Sequence, residues 1–296
     1  MNRTTKEKYE ALLQQIRPLH SAIVAFSGGI DSTLVAYAAR QALGKERALA
    51  ITARSPSVPG ADLAAVARIA AEIDIPHEFL STAELDDPNY AANPSNRCYF
   101  CKSELYGKLT PIAAGRGYAA VLNGTNVDDH GDYRPGLQAA AEKNVRAPLA
   151  DAGLTKSDIR EISRAVGLSV AEKPASPWLA SRLPSGAPVT TATLRKIDAA
   201  DTVLRAFGFP ECRVRHHEKL ARIEVPHDQI QDLLDGRVRD AIDAKFREIG
   251  YAHVTVDLRG FRSGSMNEVL LGAGFERGAG KSEQSISANK AGVQAV

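Results

Sequence analysis

The run Ser27-Gly28-Gly29-Ile30-Asp31-Ser32 limits this chain more than any other feature. It stands between an apolar stretch, Ile23-Val24-Ala25-Phe26, and the helical pattern of Thr33-Leu34-Val35-Ala36-Tyr37-Ala38. A buried strand that turns through glycines into a helix is suited to holding a diphosphate. The glycines let the backbone curl tightly and approach a ligand with no Cβ in the way. The first free N–H groups of the helix and its positive end then face the anion, and Ser27 and Ser32 offer hydroxyl donors. Asp31 stands apart: a carboxylate repels phosphate unless a divalent cation lies between them, and Mg²⁺ favours a mixed shell of carboxylate and phosphate oxygens. A magnesium nucleotide is implied, with Asp31 as the metal ligand. A Ser/Gly turn in which Asp31 merely caps a helix is the plainer alternative, and the strand before and helix after weigh against it. The Gly-Lys-Ser/Thr ending of a P-loop is missing, which disfavours transfer of a γ-phosphate.

Around that junction the periodicities predict helix over 4–17, strand over 22–26, helix over 31–43, strand over 48–53, an Ala-rich helix over 60–73, and strands over 77–80 and 119–123. Strands alternating with helices argue an α/β fold, a doubly wound parallel sheet with right-handed crossovers. In such sheets ligands lie beyond the carboxyl ends of the strands. Ser27-Gly28-Gly29, Arg54-Ser55-Pro56-Ser57 and Gly124-Thr125-Asn126 then face one crevice. The expected nucleotide contacts are Ala25, Phe26, Ser27, Gly28, Gly29, Asp31, Ser32, Ala53, Arg54, Gly124, Thr125 and Asn126. A chain of 296 residues, 44% of them hydrophobic, has material for two cores. After a helix over 156–166 comes a Pro-containing loop, and past Pro188 the pattern becomes helix 191–207, strand 212–216, strand 221–225, helix 228–249 and strand 253–258. That order suits a smaller α+β domain of ferredoxin-like character. The expected division is 1–186 for the nucleotide domain, 187–272 for the smaller substrate or assembly domain, and 273–296 for a disordered tail.

A net charge of +2 gives no footprint for bulk nucleic acid. No run approaches the roughly 18 apolar residues of a membrane span, and the N-terminus lacks a signal-peptide core, so a cytoplasmic protein acting on a small molecule is expected. Three cysteines are too few for a disulfide scaffold. Two of them form a CxxC in Arg97-Cys98-Tyr99-Phe100-Cys101-Lys102, where flanking cations and an expected helix start both lower thiol pKa. Sulfur relay or Fe–S ligation, a pair of ordinary thiols, and zinc stay open, although a four-cysteine zinc site is excluded by count. Arg213 and Arg215 share a strand face by the period of two and form a cationic group with His216 and His217 beside Cys212. A solvated edge strand and a phosphate site explain that group equally. Arg134, held by Pro135 and Gly136, is placed to stabilise developing phosphate charge.

The glycine elbow resembles the PP-loop of the N-type ATP pyrophosphatases, which have an adenine nucleotide alpha hydrolase-like fold. Several motifs together resemble the LarE family of ATP-dependent sulfur transferases over residues 5–275: Phe26 to Ser32, the CxxC, Gly124-Thr125-Asn126-Val127-Asp128-Asp129, Asp132-Tyr133-Arg134-Pro135-Gly136, Lys173-Pro174-Ala175, Leu179-Ala180-Ser181-Arg182 and Arg213-Val214-Arg215. The resemblance implies that ATP adenylylates a carboxylate of a pyridinium biscarboxylic acid mononucleotide with release of pyrophosphate. Sulfur then displaces AMP to leave a thiocarboxylate, a step toward the nickel pincer nucleotide cofactor. It further implies Asp31, Cys98, Cys101, Ser181 and Arg182 as catalytic residues, Arg213 and Arg215 on the substrate phosphate, ATP and Mg²⁺ as cofactors, and a homo-oligomer. Family members commonly carry cysteine directly before Leu-Ala-Ser-Arg, as sacrificial sulfur donor or third ligand of a 4Fe-4S cluster. Here that residue is Trp178. The sulfur is therefore expected from a persulfide on Cys98 or Cys101, fed by a sulfur-donor protein, or from a 4Fe-4S cluster completed by Cys212. An amide-forming synthetase, a tRNA thiolase and a non-catalytic nucleotide sensor are the competing readings.

Overall fold

A strand that is apolar on both faces has to be covered twice, as in β1 (Ala22–Ala25), where Ala22 and Val24 join one core and Ile23 joins another on the opposite side. β2 (Ala48–Arg54) repeats the alternation, with Ala48 and Ala50 on the first side and Leu49, Ile51 and Ala53 on the second. The computed structural model describes residues 1–131, 135–174 and 177–262. Its first sheet adds β3 (His77–Ser81) and β4 (Ala120–Leu122) in the order β3-β2-β1-β4, with every pairing parallel. The accompanying helices are α1 (Arg3–Ile16), α2 (Ile30–Leu43), α3 (Gly60–Glu72), α4 (Pro88–Ala91), α5 (Arg97–Gly115), α6 (Pro135–Glu142), α7 (Pro148–Asp151) and α8 (Lys156–Ala165). α1, α2, α3 and α8 fill one core with residues such as Leu12, Ile16, Leu34, Ile69 and Ile162. α5 and α6 fill the other through Leu105, Tyr106, Leu109 and Ala139. The doubly wound α/β expectation is met.

The second sheet follows α9 (Thr191–Ala206) and has the order β5-β6-β7, built from β5 (Arg213–His217), β6 (Leu220–Glu224) and β7 (His253–Val256). β5 and β6 pair antiparallel, and β7 lies parallel to β6. The single helix expected over 228–249 is two, α10 (Ile230–Leu234) and α11 (Gly236–Ile249). Asp235 separates them because its backbone is extended, with ψ 134°, and its carboxylate caps α11 by accepting the Arg237 N–H at 3.1 Å. Ala200, Leu204, Val214, Ile223, Ile242 and Phe246 make the core of this region. A further cluster of Tyr90, Leu179, Ala180, Leu183, Leu194 and Ile197, with Phe100 and Cys101 against it, packs α4, α9 and the CxxC helix around one turn. Residues Met1–Phe261 form one compact unit that includes both sheets. Among the described residues no helix is long and apolar enough to cross a membrane. The expected tail lies outside the described residues.

Candidate active site

The elbow after β1 braces itself. Phe26 N–H continues the ladder to the Ile51 carbonyl at 2.8 Å. Ser27 N–H donates to Ser32 Oγ at 3.2 Å, the two hydroxyls lie 3.0 Å apart, and Ser32 Oγ–H donates to the Gly29 carbonyl at 3.1 Å. The serines expected as phosphate donors are thus also what holds the loop in shape. Gly28 has φ +67°, and a Cβ there would sit 2.6 Å from Val66 Cγ2, so α3 packs where only glycine fits. Gly29 is the N-cap of α2 with no side-chain bond to the helix, which leaves the first-turn N–H groups facing the crevice.

The loop after β4 meets that elbow in contact. A Cβ on Gly124 would lie 2.8 Å from Ser32 N and 3.1 Å from Asp31 Cβ, so the two backbones approach as closely as glycine permits. Asn126 Nδ2 is 3.4 Å from Asp31 Oδ1, and Thr125 N–H is held by Asn123 Oδ1 at 3.0 Å. Asp31 stands in the first turn of α2 with a quarter of its side chain exposed. One carboxylate beside a diphosphate cradle fits Mg²⁺, which usually takes one or two protein carboxylates and completes its shell with phosphate oxygens and water. Sequence reasoning missed Lys156 here, and quoted Lys173 in a motif without assigning it a contact. Lys156 Nζ lies 2.5 Å from Asp31 Oδ2, and Lys173 Nζ donates to the Gly28 carbonyl and to Asp62 Oδ1, both at 3.2 Å. Neither leaves a periodic signal, since Lys156 is 125 positions from its partner and Lys173 is 145 from its own.

At the end of β2, Ala53 is buried and the exposed Arg54 lays its guanidinium 4.2 Å from the centre of the Phe79 ring. Ser57 carbonyl accepts the Leu179 N–H at 2.8 Å, and Arg97 Nη1, on the CxxC helix, donates to the Ala180 carbonyl at 2.8 Å. The Leu179–Arg182 turn therefore ties the nucleotide crevice to the cysteines. Cys98 is exposed and Cys101 is partly buried, one turn further along α5. The expected acidification of the pair is reversed at Cys101. Burial there excludes the thiolate and pushes the thiol up to about 12, with Glu84 adding to the effect and Lys102 opposing it. Trp178 is partly buried on the second core, its ring centre 6.0 Å from Lys102 Nζ.

Cys212 is elsewhere. Its side chain is fully buried in the small-sheet core, and Sγ–H donates to the Asp201 carbonyl at 3.7 Å. Among the described residues no three His, Cys, Asp or Glu side chains are grouped to hold a metal. Cys98, Cys101 and Cys212 accordingly do not fit a 4Fe-4S cluster. Arg182 is fully buried: it reaches Asp201 Oδ2 at 3.3 Å, and donates to the Pro177 carbonyl and to the Trp178 carbonyl at 3.1 Å. Its guanidinium, fully buried, links the turn to α9. Ser181 Oγ likewise donates to the Trp178 carbonyl at 2.7 Å. Arg215 forks onto Glu224 at 3.0 and 2.8 Å and donates to the Ser181 carbonyl at 3.0 Å. Arg213 donates to the Cys212 carbonyl at 2.8 Å with its guanidinium 4.8 Å from the Phe261 ring centre. Arg134 lies outside the described residues.

A parallel sheet whose first strand ends in a glycine elbow, met there by the loop after β4, defines an ATP-using α/β enzyme of the PP-loop class. The NAD synthase family model matches residues 6–91, the part that includes the elbow. Relatives matching most of the chain narrow the class. The pyridinium-3,5-bisthiocarboxylic acid mononucleotide synthase of Lactiplantibacillus plantarum is 37% identical over 270 residues, 91% of this chain and 97% of that protein. An uncharacterized protein of Synechocystis is 45% identical over 265 residues, 90% of this chain and 98% of its own length. The NH3-dependent NAD+ synthetase of Methanococcoides burtonii is 26% identical over 237 residues, 73% and 81% of the two chains. This chain belongs to the LarE family of PP-loop, ATP-dependent sulfur transferases.

Proposed function

We propose that this enzyme activates a carboxylate of a pyridinium biscarboxylic acid mononucleotide as its AMP anhydride, releases pyrophosphate, and transfers sulfur to the acyl carbon. The observation that carries the reading is the Leu179–Arg182 turn, held on one side by Ser57 in the turn that follows β2 and on the other by Arg97 of the CxxC helix. A carboxylate is a poor acyl donor, and its anhydride with AMP has a good leaving group. The elbow N–H groups hold the diphosphate, and the Lys173 bond to the Gly28 carbonyl keeps the elbow in register. Mg²⁺, when bound at Asp31, offsets the charge of the departing pyrophosphate.

With Trp178 in place of a sacrificial thiol, the sulfur travels on the CxxC. A persulfide on one cysteine, delivered by a persulfide-bearing donor protein, attacks the acyl carbon and expels AMP, leaving an acyl disulfide. The second cysteine attacks the first at sulfur, losing its proton, so that the thiocarboxylate departs and a Cys98–Cys101 disulfide remains for a dithiol to reduce. On this reading the substrate's phosphate meets the Arg213 side of β5, while Arg215 sets the position of the Ser181 carbonyl. Amide formation shares the activation step but gives the cysteines no task. Incubation with Mg-ATP and the biscarboxylate should yield AMP and pyrophosphate in equal amounts; ADP with phosphate would overturn the proposal.

A further inference from the structure

Lys156 has no part in the chemistry above, yet its ammonium rests 2.5 Å from Asp31 Oδ2, on the carboxylate that would meet the metal. The placement is built in. Lys156 opens α8, its backbone N–H donates to Asp128 Oδ2 at 2.7 Å, and Asp128 N–H donates to Asn126 Oδ1 at 3.0 Å. Asn126 in turn reaches the other oxygen of Asp31. The start of α8, the loop after β4 and the elbow are thus linked through one carboxylate. An ammonium and a divalent cation on the same carboxylate repel each other, so each weakens the other's hold on it. Lysine has a flexible four-carbon stem and a point charge with rotatable donors, and a diphosphate in the adjoining elbow would offer it oxygens instead.

We infer that Lys156 is the resident counter-cation of the metal site: it neutralises Asp31 before the metal arrives and then moves to the diphosphate oxygens. Metal and Lys156 therefore compete for Asp31, whereas nucleotide and Lys156 attract each other. The inference rests on the proposed metal role of Asp31. It is tested by two binding measurements: free Mn²⁺ read by electron paramagnetic resonance with the protein saturated in α,β-methylene-ATP, and calorimetric titration of that analogue in EDTA. Lys156→Met should bind Mn²⁺ about fivefold more tightly, the scale of a partly exposed ion pair removed, and should bind the analogue in EDTA severalfold more weakly. Lys156→Gln, should the first variant fold poorly, gives the same two signs, and Lys156→Arg stays near the parent. Asp31→Asn is the control and should lose at least tenfold in Mn²⁺ affinity. Unchanged or weaker Mn²⁺ binding in Lys156→Met, with the Asp31→Asn loss intact, overturns the Lys156 role alone. An Asp31→Asn variant that binds Mn²⁺ like the parent removes the metal role of Asp31 and the inference with it.

Discussion

Replacing Gly124 by alanine would force a Cβ to within 2.8 Å of Ser32 N and 3.1 Å of the Asp31 backbone and Cβ. No flexible side chain is there to yield, so the elbow itself must shift. A displacement of that kind near reacting groups costs on the order of 100-fold in rate, and Gly124→Ala should show it in kcat/KM for ATP with the fold preserved by circular dichroism; an unimpaired rate would mean the loop is not part of the nucleotide site. The two thiols should part company under alkylation. Because burial disfavours the Cys101 thiolate and pushes that group up to about 12, iodoacetamide at pH 8 should label the exposed Cys98 and spare Cys101, with Cys101 reacting only at strongly alkaline pH. Peptide mass spectrometry across a pH series checks this, and equal labelling of both at pH 8 would contradict it. Gly28, Gly29 and Asp31 were legible because the elbow is local and its neighbours in sequence are its neighbours in space. Lys156 was not, because a contact made across 125 positions leaves no mark in the residues beside it.

Between elements the same rule holds. Helices that repeat an apolar stripe, such as α1, α2 and α3, and strands flanked by turns were read to within a residue or two, because periodicity encodes which side is covered. α5 was recognised only at its start, since Pro111 lies inside it and its aromatic and polar residues give a weak stripe. α10 and α11 merged into one expectation because the break depends on the backbone conformation of Asp235. The joint between α1 and α8 makes a prediction about pH. Asp158 completes the capping box of α8 and takes Lys8 Nζ at 2.7 Å. Burial alone would raise its carboxyl, but hydrogen bonds from Lys8 and Thr155 outweigh that and hold it at about 2, below the ordinary 3.8. A depressed carboxyl stabilises the fold above its unfolded value and stops doing so as pH falls through its folded value. The protein should thus lose stability between about pH 4 and pH 2, and Asp158→Asn, weaker at neutral pH, should lack that part of the loss. Parallel acid curves from thermal unfolding of parent and variant would refute it.

Across the whole molecule, the two sheets are coupled by charge that no solvent reaches. Arg182 and Asp201 are both fully buried, Asp201 also accepts the Val214 N–H at 2.9 Å, and Arg205 approaches from 3.6 Å. Desolvation moves both groups toward neutrality, Asp201 upward and Arg182 downward, while their mutual attraction opposes it. Removing Arg182 leaves the buried Asp201 carboxylate with only the more distant Arg205 and the Val214 N–H, a loss approaching the ~3–5 kcal/mol of a broken buried pair. Arg182→Met should lose stability of that order in urea unfolding, and Arg182→Met with Asp201→Leu should recover part of it; a neutral Arg182→Met would show that the pair does not join the sheets. A motif match marks Arg182 as special without saying that it is sealed inside, because burial is a property of the packed whole.

The bonds that fix the Leu179–Arg182 turn run through the Ser57, Pro177, Trp178, Ala180 and Ser181 carbonyls, the Leu179 N–H, and the side chains of Arg97, Ser181, Arg182 and Arg215. None of these uses the indole of Trp178. The indole packs against the second core instead, so exchanging residue 178 would alter that packing without severing any of the polar ties that hold the turn.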